Sequence, residues 1–262
     1  MKKSKLCFDL IFGKNASLAT MKSSSRLIKS IFLDRESSFY RENIAFLTNF
    51  IKNHKIDINF VDKKKLNSIC KTEDKHQGIA LKTEGFKFYD LHEICKINNK
   101  KKSLHSTLFL LDSVMDPQNM GAILRSAYAF DVDGVVIAKN NACDINGTVA
   151  RSSTGYSEFI KIHKASNLAS VIDSLKEQDY YVIGLDSGCG KKVHKIQDIL
   201  SCQKKVVFIF GSEGFGIKKI LLNKCDYLHR IDMANDVESL NVSVSCSIIG
   251  NDVFNFYKNE AQ

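Results

Sequence analysis

A chain of 262 residues, of which 44% are hydrophobic, is long enough for one large globular domain or two smaller ones. A formal net charge of +9 favours an anionic partner, and no apolar run approaches the roughly 18 residues of a membrane span. The eight cysteines are scattered from Cys7 to Cys246 without a C-x-x-C pair, so we expect reduced thiols in a cytoplasmic protein.

The first part of the chain is predicted to be a small α/β domain. Short apolar runs predict strands at 30–33, 56–61 and 78–82. Ile44, Leu47 and Ile51 share one face of a predicted helix at 39–52. The polar, lysine-rich segment KINNKKKSLHS at 96–106 has no hydrophobic periodicity and is typical of a linker. We therefore predict a first domain at 1–95, a linker at 96–106 and a second domain at 107–262.

The second domain alternates apolar strands with helices. Strands are predicted at 107–111, 134–138, 159–163, 181–186, 206–210 and 228–231, and helices at 121–130, 144–151, 167–178, from Ile217 onward and at 239–257. Fully apolar strands that alternate with helices indicate a parallel sheet covered on both faces. Ligands of such sheets bind beyond the carboxyl ends of the strands.

The positive charge is concentrated in the N-terminal part. Residues 1–105 contain 22 Lys and Arg against 11 Asp and Glu, whereas residues 106–262 contain 16 against 18. Phosphate contacts supply much of the affinity of proteins for nucleic acids. The asymmetry therefore favours nucleic-acid binding by the first domain, with a solvated basic surface as the alternative.

The first of three polar loops, DPQNMGAILRSA at 116–127, contains the only proline of the chain. Asn119 is placed to cap the next helix, whose exposed N–H groups attract anions. Arg125 follows within the first turns of that helix. A simple cap for Asn119 and a surface ion pair for Arg125 are the alternatives without chemistry.

The second loop, FGSEGFG at 210–216, follows an apolar strand and contains three glycines, which permit close approach to a ligand. Glu213 would repel a phosphate, so a ligand with a cationic centre is favoured, and a tight turn without a ligand is the alternative. In the third loop, ESLNVSVSCSI at 238–248, Ser239 is placed to cap a helix and Asn241 lies in its first turn. The alternation of this third segment also fits a strand. We expect no metal site, because the seven histidines are spread along the chain.

In this order and at these separations, D-P-x-N-x-G-A-x-x-R-S-A, F-G-S-E-G-x-G and S-L-N-V-S-V-S resemble the three motifs of the SpoU (TrmH) branch of the SPOUT methyltransferases. The resemblance covers residues 108–256 strongly. More weakly, FGKNAS at 12–17 and HQGI at 76–79 resemble the ribosomal-protein-like substrate-binding domain of the bacterial 23S rRNA guanosine-2′-O-methyltransferases.

This resemblance implies an α/β fold, in which a knotted (trefoil) parallel-sheet methyltransferase domain follows a small substrate-binding domain. It implies S-adenosylmethionine-dependent 2′-O-methylation of an RNA ribose by a homodimer, with a guanosine of 23S ribosomal RNA as the favoured target. A tRNA ribose methyltransferase is the nearest alternative, although tRNA-directed relatives usually lack the large N-terminal domain. A non-catalytic RNA-binding protein is the other alternative.

The resemblance also implies roles for individual residues. The positions that match the catalytic pocket are Asn119, Arg125, Glu213, Ser239 and Asn241. The positions that match cofactor contacts are Gly211, Ile231 and Leu240. Where the family usually has Ile-Pro-Met, this chain has Ile231-Asp232-Met233, so we expect a looser loop against the adenine ring and weaker cofactor binding.

The resemblance raises one mechanistic question, because the family's counterpart of Arg125 is proposed as the general base. A guanidinium group stays protonated at ordinary pH. We therefore expect Arg125 to clamp the neighbouring phosphate and polarise the ribose hydroxyl, with Asn119 and Glu213 orienting it.

Overall fold

The computed structural model describes residues 8–23, 25–98, 105–185, 193–212, 214–235 and 237–260. Its strands are β1 (Phe8–Phe12), β2 (Ile28–Leu33), β3 (Asp57–Phe60), β4 (Ile79–Glu84), β5 (Ser106–Leu111), β6 (Gly134–Ala138), β7 (Ile162–Ala165), β8 (Tyr181–Leu185), β9 (Lys205–Phe210) and β10 (Tyr227–His229). Its helices are α1 (Lys14–Ser23), α2 (Ser38–His54), α3 (Lys63–Cys70), α4 (Leu91–Asn98), α5 (Pro117–Ala129), α6 (Gly147–Ser152), α7 (Leu168–Lys176), α8 (Ile196–Cys202), α9 (Lys219–Leu222) and α10 (Val242–Glu260).

The chain forms two compact units, one of residues 1–87 with 144–159 and one of residues 88–143 with 160–262. In the first unit a four-stranded sheet has the order β1-β4-β2-β3, so β1 and β3 are its edges. β4 runs antiparallel to both β1 and β2, and β3 runs parallel to β2. Buried Ile31 and Leu33 of β2 pack with Phe39 and Leu47 of α2. The strand predicted at 30–33 and the helix predicted at 39–52 are confirmed, although Ile44 of the predicted apolar face is exposed. β1, α1 and α3 were not predicted.

The segment at 144–159 belongs to the first unit although it follows β6 in the chain. The Arg26 guanidinium is fully buried and lies 2.9 Å from the carboxylate of Glu158, which is also fully buried. Arg26 also donates to the carbonyl oxygen of Ile145 at 2.9 Å and pairs with Asp9 at 2.6 Å. A Cβ on Gly147 would lie 2.1 Å from the carbonyl oxygen of Leu10, so the close approach of α6 to β1 requires glycine here.

The second unit contains a six-stranded sheet of order β10-β8-β9-β5-β6-β7, and every neighbouring pair is parallel. All six residues of β5 are buried, as expected for a strand covered on both faces. The predicted parallel sheet is therefore confirmed. α5 and α10 are joined by a hydrogen bond of 2.7 Å between the hydroxyls of Ser126 and Ser247.

Several element boundaries predicted for the second domain and for the linker are wrong. β7 begins at Ile162, three residues later than predicted, because the chain is still turning at residues 159 and 160 after a 3-10 turn (Tyr156–Glu158). α6 begins at Gly147 rather than 144, because the Asn146 side chain accepts the N–H groups of Thr148 and Val149. The first residues of the predicted linker, 96–98, lie in α4, and residues 99–104 lie outside the described residues.

The cysteines within the described residues are free thiols. Burial raises the pKa of Cys70 to about 11 and raises the pKa values of Cys95 and Cys246, so these thiols are poor nucleophiles. None of the described helices combines the length and the apolar character needed to cross a membrane.

Candidate active site

A cavity of about 410 Å³ opens beyond the carboxyl ends of three neighbouring strands. Leu185, Phe210 and His229, the last residues of β8, β9 and β10, line it. These strands are adjacent in the sheet, so their ends converge although they are widely separated in the chain. The cavity lies where ligands of open parallel sheets bind.

The glycine loop that follows β9 forms one wall of this cavity. Ser212 and Gly216 exchange two backbone hydrogen bonds of 3.0 and 3.2 Å. A Cβ on Gly211 would lie 2.0 Å from the carbonyl carbon of Gly216, so this loop closes only with glycine at position 211. Gly216 has a φ of 61°, in the left-handed region that favours glycine. Glu213, predicted in the same loop, lies outside the described residues.

The segment before α10 and the start of that helix also contribute to the lining. Ser239, Leu240 and Val242 line the cavity. The predicted cap at Ser239 is wrong, because α10 begins at Val242 and Asn241 accepts the N–H of Ser243 at 2.9 Å. The Ser239 side chain is therefore placed along the cavity and not at the helix cap.

The first polar loop meets this segment through Asn119. The predicted cap at Asn119 is also wrong: Asp116 caps α5 by accepting the N–H of Asn119 at 3.0 Å, and Pro117 occupies the first helical position. The amide oxygen of Asn119 instead accepts a hydrogen bond of 3.2 Å from the amide group of Asn241. Two residues 122 positions apart, both predicted for the pocket, are thus in contact.

Arg125 is exposed on α5. No ion pair recorded among the described residues includes its guanidinium, so the alternative of a surface ion pair finds no support in that part of the chain. The group is accessible to an anion such as an RNA phosphate.

Asp112 is a residue near the site that was not predicted. It directly follows β5, is 1% exposed and accepts hydrogen bonds from the backbone N–H of Lys218 at 3.1 Å and from its ammonium group at 2.6 Å. These bonds fix the chain just after the glycine loop to the end of β5, the strand next to β9 in the sheet. The signal in the sequence was an acidic residue immediately after a fully apolar strand.

The comparisons with known proteins agree with this geometry. Residues 106–251 match the model of the SpoU rRNA Methylase family. The chain belongs to the SpoU (TrmH) family of RNA methyltransferases. Residues 10–89 match the model for RNA 2′-O ribose methyltransferase substrate binding. A Bacillus subtilis protein, named as a member of the TrmH family of tRNA/rRNA methyltransferases, is 30% identical over 94% of this chain and 95% of its own.

Solved SpoU structures share the fold over nearly the whole chain. The SpoU methyltransferase AviRb from Streptomyces viridochromogenes, in complex with S-adenosylmethionine, has a TM-score of 0.74 at 19% identity and covers 97% of this chain and 92% of its own. An S-adenosylmethionine-bound rRNA methyltransferase from Sinorhizobium meliloti has a TM-score of 0.74 at 18% identity and covers 97% of this chain and 88% of its own. The predicted fold class is confirmed, and a trefoil knot is characteristic of the SpoU family.

S-adenosylmethionine is the cofactor of SpoU enzymes, and the cavity of this chain fits it. Its volume lies within the roughly 300–1,000 Å³ of small-molecule sites. Apolar Leu185, Ile231 and Leu240 offer contacts for an adenine ring, and Glu238 brings negative charge for a cationic ligand. The three predicted cofactor positions, Gly211, Ile231 and Leu240, all line this one cavity. Asp232, in place of the usual proline, is exposed.

Proposed function

We propose that this SpoU enzyme methylates the 2′-hydroxyl of a ribose in ribosomal RNA, with a guanosine of 23S rRNA as the favoured target. The observation that carries the proposal is that the second and third polar segments line one cavity and that the first segment contacts the third beside this cavity. Gly211 and Ile231 line it, and Asn119 contacts Asn241 beside its lining residues. Arg125 is exposed on the helix that carries Asn119.

Ribosomal RNA is favoured over tRNA by the N-terminal part of the chain. It matches the substrate-binding model, and the basic residues of the chain are concentrated there. The Sinorhizobium meliloti structure that covers 97% of the chain is described as an rRNA methyltransferase. We infer a cytoplasmic location for the enzyme together with this target. A tRNA target remains the second candidate, because the name of the Bacillus subtilis relative includes both kinds of RNA.

In the proposed reaction a ribose 2′-oxygen attacks in line. Bound S-adenosylmethionine supplies a methyl group on a sulfonium, which becomes a neutral thioether, so the main demand on the protein is alignment in a dry pocket. Arg125 donates two parallel hydrogen bonds to the phosphate next to the target ribose and stabilises charge that develops on the attacking oxygen. It does not accept the proton of the 2′-hydroxyl, because guanidinium stays protonated; that proton is released to solvent water as the O–C bond forms and the S–C bond breaks.

The remaining predicted residues position the substrate. We assign Asn119 and Asn241 to orienting the ribose and Arg125, since the two amides already contact each other. Ser239 and Glu213 are assigned to the same pocket, Ser239 from its place in the lining. Phe215 is 96% exposed between the last two glycines of the loop and offers a ring for contact with an RNA base.

We further infer that the enzyme acts as a homodimer. Exposed apolar side chains on α5 and α10, namely Tyr128, Val244 and Phe254, support this assembly. Light scattering after size exclusion is expected to give twice the chain mass of 29.5 kDa. A monomer at all concentrations would refute the dimer.

The test of the proposed function is methyl transfer from labelled S-adenosylmethionine to protein-free ribosomal RNA and, separately, to tRNA. We expect saturable transfer to ribosomal RNA with a kcat/KM at least about tenfold above that for tRNA, a difference of about 1.4 kcal/mol. The reverse ratio would establish the tRNA alternative. Cofactor binding without transfer to either RNA would favour the non-catalytic RNA-binding protein.

A further inference from the structure

A second and larger concavity, of about 1090 Å³, lies entirely within the first unit. Two segments that contribute to its wall, at 14 and at 76–78, are distant in the chain. They meet where the N–H of Lys14 donates to the side-chain oxygen of Gln77 at 2.9 Å. The two segments that resemble a substrate-binding domain, FGKNAS and HQGI, therefore converge on this one surface.

The wall of this concavity is held by a buried histidine. His76 is 2% exposed, and its Nδ1 accepts the N–H of Gly78 at 3.0 Å. Its Nε2 therefore carries the proton and donates to the amide oxygen of Asn67 at 2.9 Å. Both ring nitrogens are therefore bonded in the neutral form, and burial lowers the pKa of His76 in the same sense. A wall fixed in this way needs little ordering when a ligand binds.

One side of the concavity presents two exposed groups in contact, a guanidinium and an aromatic ring. The guanidinium carbon of Arg35 lies 3.8 Å from the ring centroid of Phe60. Phe60 ends the edge strand β3 and is 42% exposed, while the ring of Tyr40 meets it edge-on at 6.0 Å. Exposed aromatic rings and guanidinium planes are the surfaces on which unpaired nucleobases stack.

Few basic side chains around the concavity are available to bind phosphate groups. Four carboxylates, those of Asp34, Glu36, Asp62 and Asp74, line the concavity, and three of them hold hydrogen-bond or ion-pair partners. Asp34 accepts the N–H of Glu36, Asp62 accepts the N–H of Lys65 at the start of α3, and Asp74 pairs with Lys63 at 2.7 Å. Arg35 and Lys64 are exposed and belong to none of the ion pairs recorded among the described residues.

We propose that this concavity binds an unpaired nucleotide of the RNA substrate, with its base stacked on the Arg35–Phe60 pair and a flanking phosphate held by Lys64. The inference rests on the proposed function and identifies where the first unit binds RNA. Stacking supplies most of the interaction because few cations are available, so the site selects single-stranded over duplex RNA. A duplex keeps its bases stacked on each other and cannot offer one to the ring.

The experiment compares Phe60→Leu with Phe8→Leu in the full chain. Phe8 is a matched control, since it is also 42% exposed, carries the ammonium group of Lys82 at 4.3 Å from its ring centroid and lies on β1 at the opposite edge of the same sheet. Base stacking on an aromatic ring is worth about 1–3 kcal/mol, so we expect Phe60→Leu to weaken binding of a fluorescent single-stranded RNA about tenfold. Phe8→Leu should change it less than about twofold, and Phe60→Trp should restore binding because its ring also stacks.

Two readouts separate this inference from the proposed function. If the wild type methylates ribosomal RNA but Phe60→Leu and Phe8→Leu have equal KM for it and equal affinity for single-stranded RNA, the nucleotide site is refuted. If the wild type transfers no methyl group to ribosomal RNA, the proposed function fails. The affinities of the variants for the fluorescent single-stranded RNA, measured by fluorescence anisotropy, still decide whether the nucleotide site exists. The nucleotide site would also be refuted if duplex RNA bound as tightly as single-stranded RNA and lost the same affinity in Phe60→Leu.

Discussion

Replacing Gly211 by alanine tests whether the glycine loop holds the cofactor. The new Cβ would lie 2.0 Å from the carbonyl carbon of Gly216, 2.3 Å from its oxygen and 2.4 Å from the nitrogen of Ile217, all backbone atoms that cannot rotate away. The loop must open by roughly 1.4 Å to reach ordinary contact at 3.4 Å, which breaks the two hydrogen bonds between Ser212 and Gly216. At about 1 kcal/mol for each bond, we expect the Kd for S-adenosylmethionine to rise about 30-fold.

The control lies outside the cavity. A Cβ on Gly85 would meet nothing within 4 Å, and its φ is not in the left-handed region, so Gly85→Ala should bind the cofactor with a Kd within about twofold of the wild type. Isothermal titration calorimetry gives both values, and thermal unfolding without cofactor shows whether Gly211→Ala is still folded. Equal affinities for the two variants would refute the role of the loop closure.

Three further predictions follow from other parts of the chain. Arg125→Lys should lower kcat for methyl transfer about 100-fold and leave the Kd for S-adenosylmethionine unchanged, because a lysine cannot form the bidentate contact; near-normal transfer would exclude that role. The lowered pKa of His76 means that the unfolded chain takes up the proton first, so the free energy of unfolding should fall below pH 6.5, by up to about 1.4 kcal/mol per pH unit. Urea titrations should find this slope reduced in His76→Gln, and an unchanged slope would contradict the assignment. Arg26→Met should cost about 3–5 kcal/mol because it leaves Glu158 buried without a counter-charge, and adding Glu158→Leu should recover most of that loss; a double variant no more stable than the single one would show that the pair is not coupled.

The parallel sheet of the second unit was predictable because its strands are buried on both faces. The apolar runs at 107–111, 134–138 and 206–210 coincide with β5, β6 and β9 to within one residue. A strand of this kind gives a continuous hydrophobic signal that does not depend on distant parts of the chain. In the first unit α3 was missed, since its sequence KKKLNSIC is mostly polar and only Leu66 and Cys70 are buried.

Helix starts were predicted poorly because several side chains near each start can serve as the cap. Asn119 and Ser239 are suitable caps by residue type, yet Asp116 and Asn241 are the ones that accept the N–H groups. The choice depends on where the preceding chain is held by tertiary contacts. The association of residues 144–159 with the first unit could not be predicted from local sequence either. It rests on the contact between Arg26 and Glu158, which are 132 residues apart.

The three polar loops of the site were visible as residues that a hydrophobic core does not need. The first and second loops follow β5 and β9, which are neighbours in the parallel sheet, and the third follows β10 at the edge of the same sheet. The contacts that fix the site could not be predicted from local pattern. The bond from Lys218 to Asp112 spans 106 residues, and each partner alone resembles an ordinary surface charge.

The most direct test of the central claim is the chemical identity of the methylated nucleoside. Ribosomal RNA methylated by the wild-type enzyme with isotope-labelled S-adenosylmethionine is digested to nucleosides and analysed by mass spectrometry, with Arg125→Lys as the parallel sample. We predict that the label is on the ribose, as a 2′-O-methylguanosine whose neighbouring phosphodiester resists alkaline cleavage, and that it is nearly absent from the Arg125→Lys sample. Label on a nucleobase, or equal ribose label in both samples, would contradict the account.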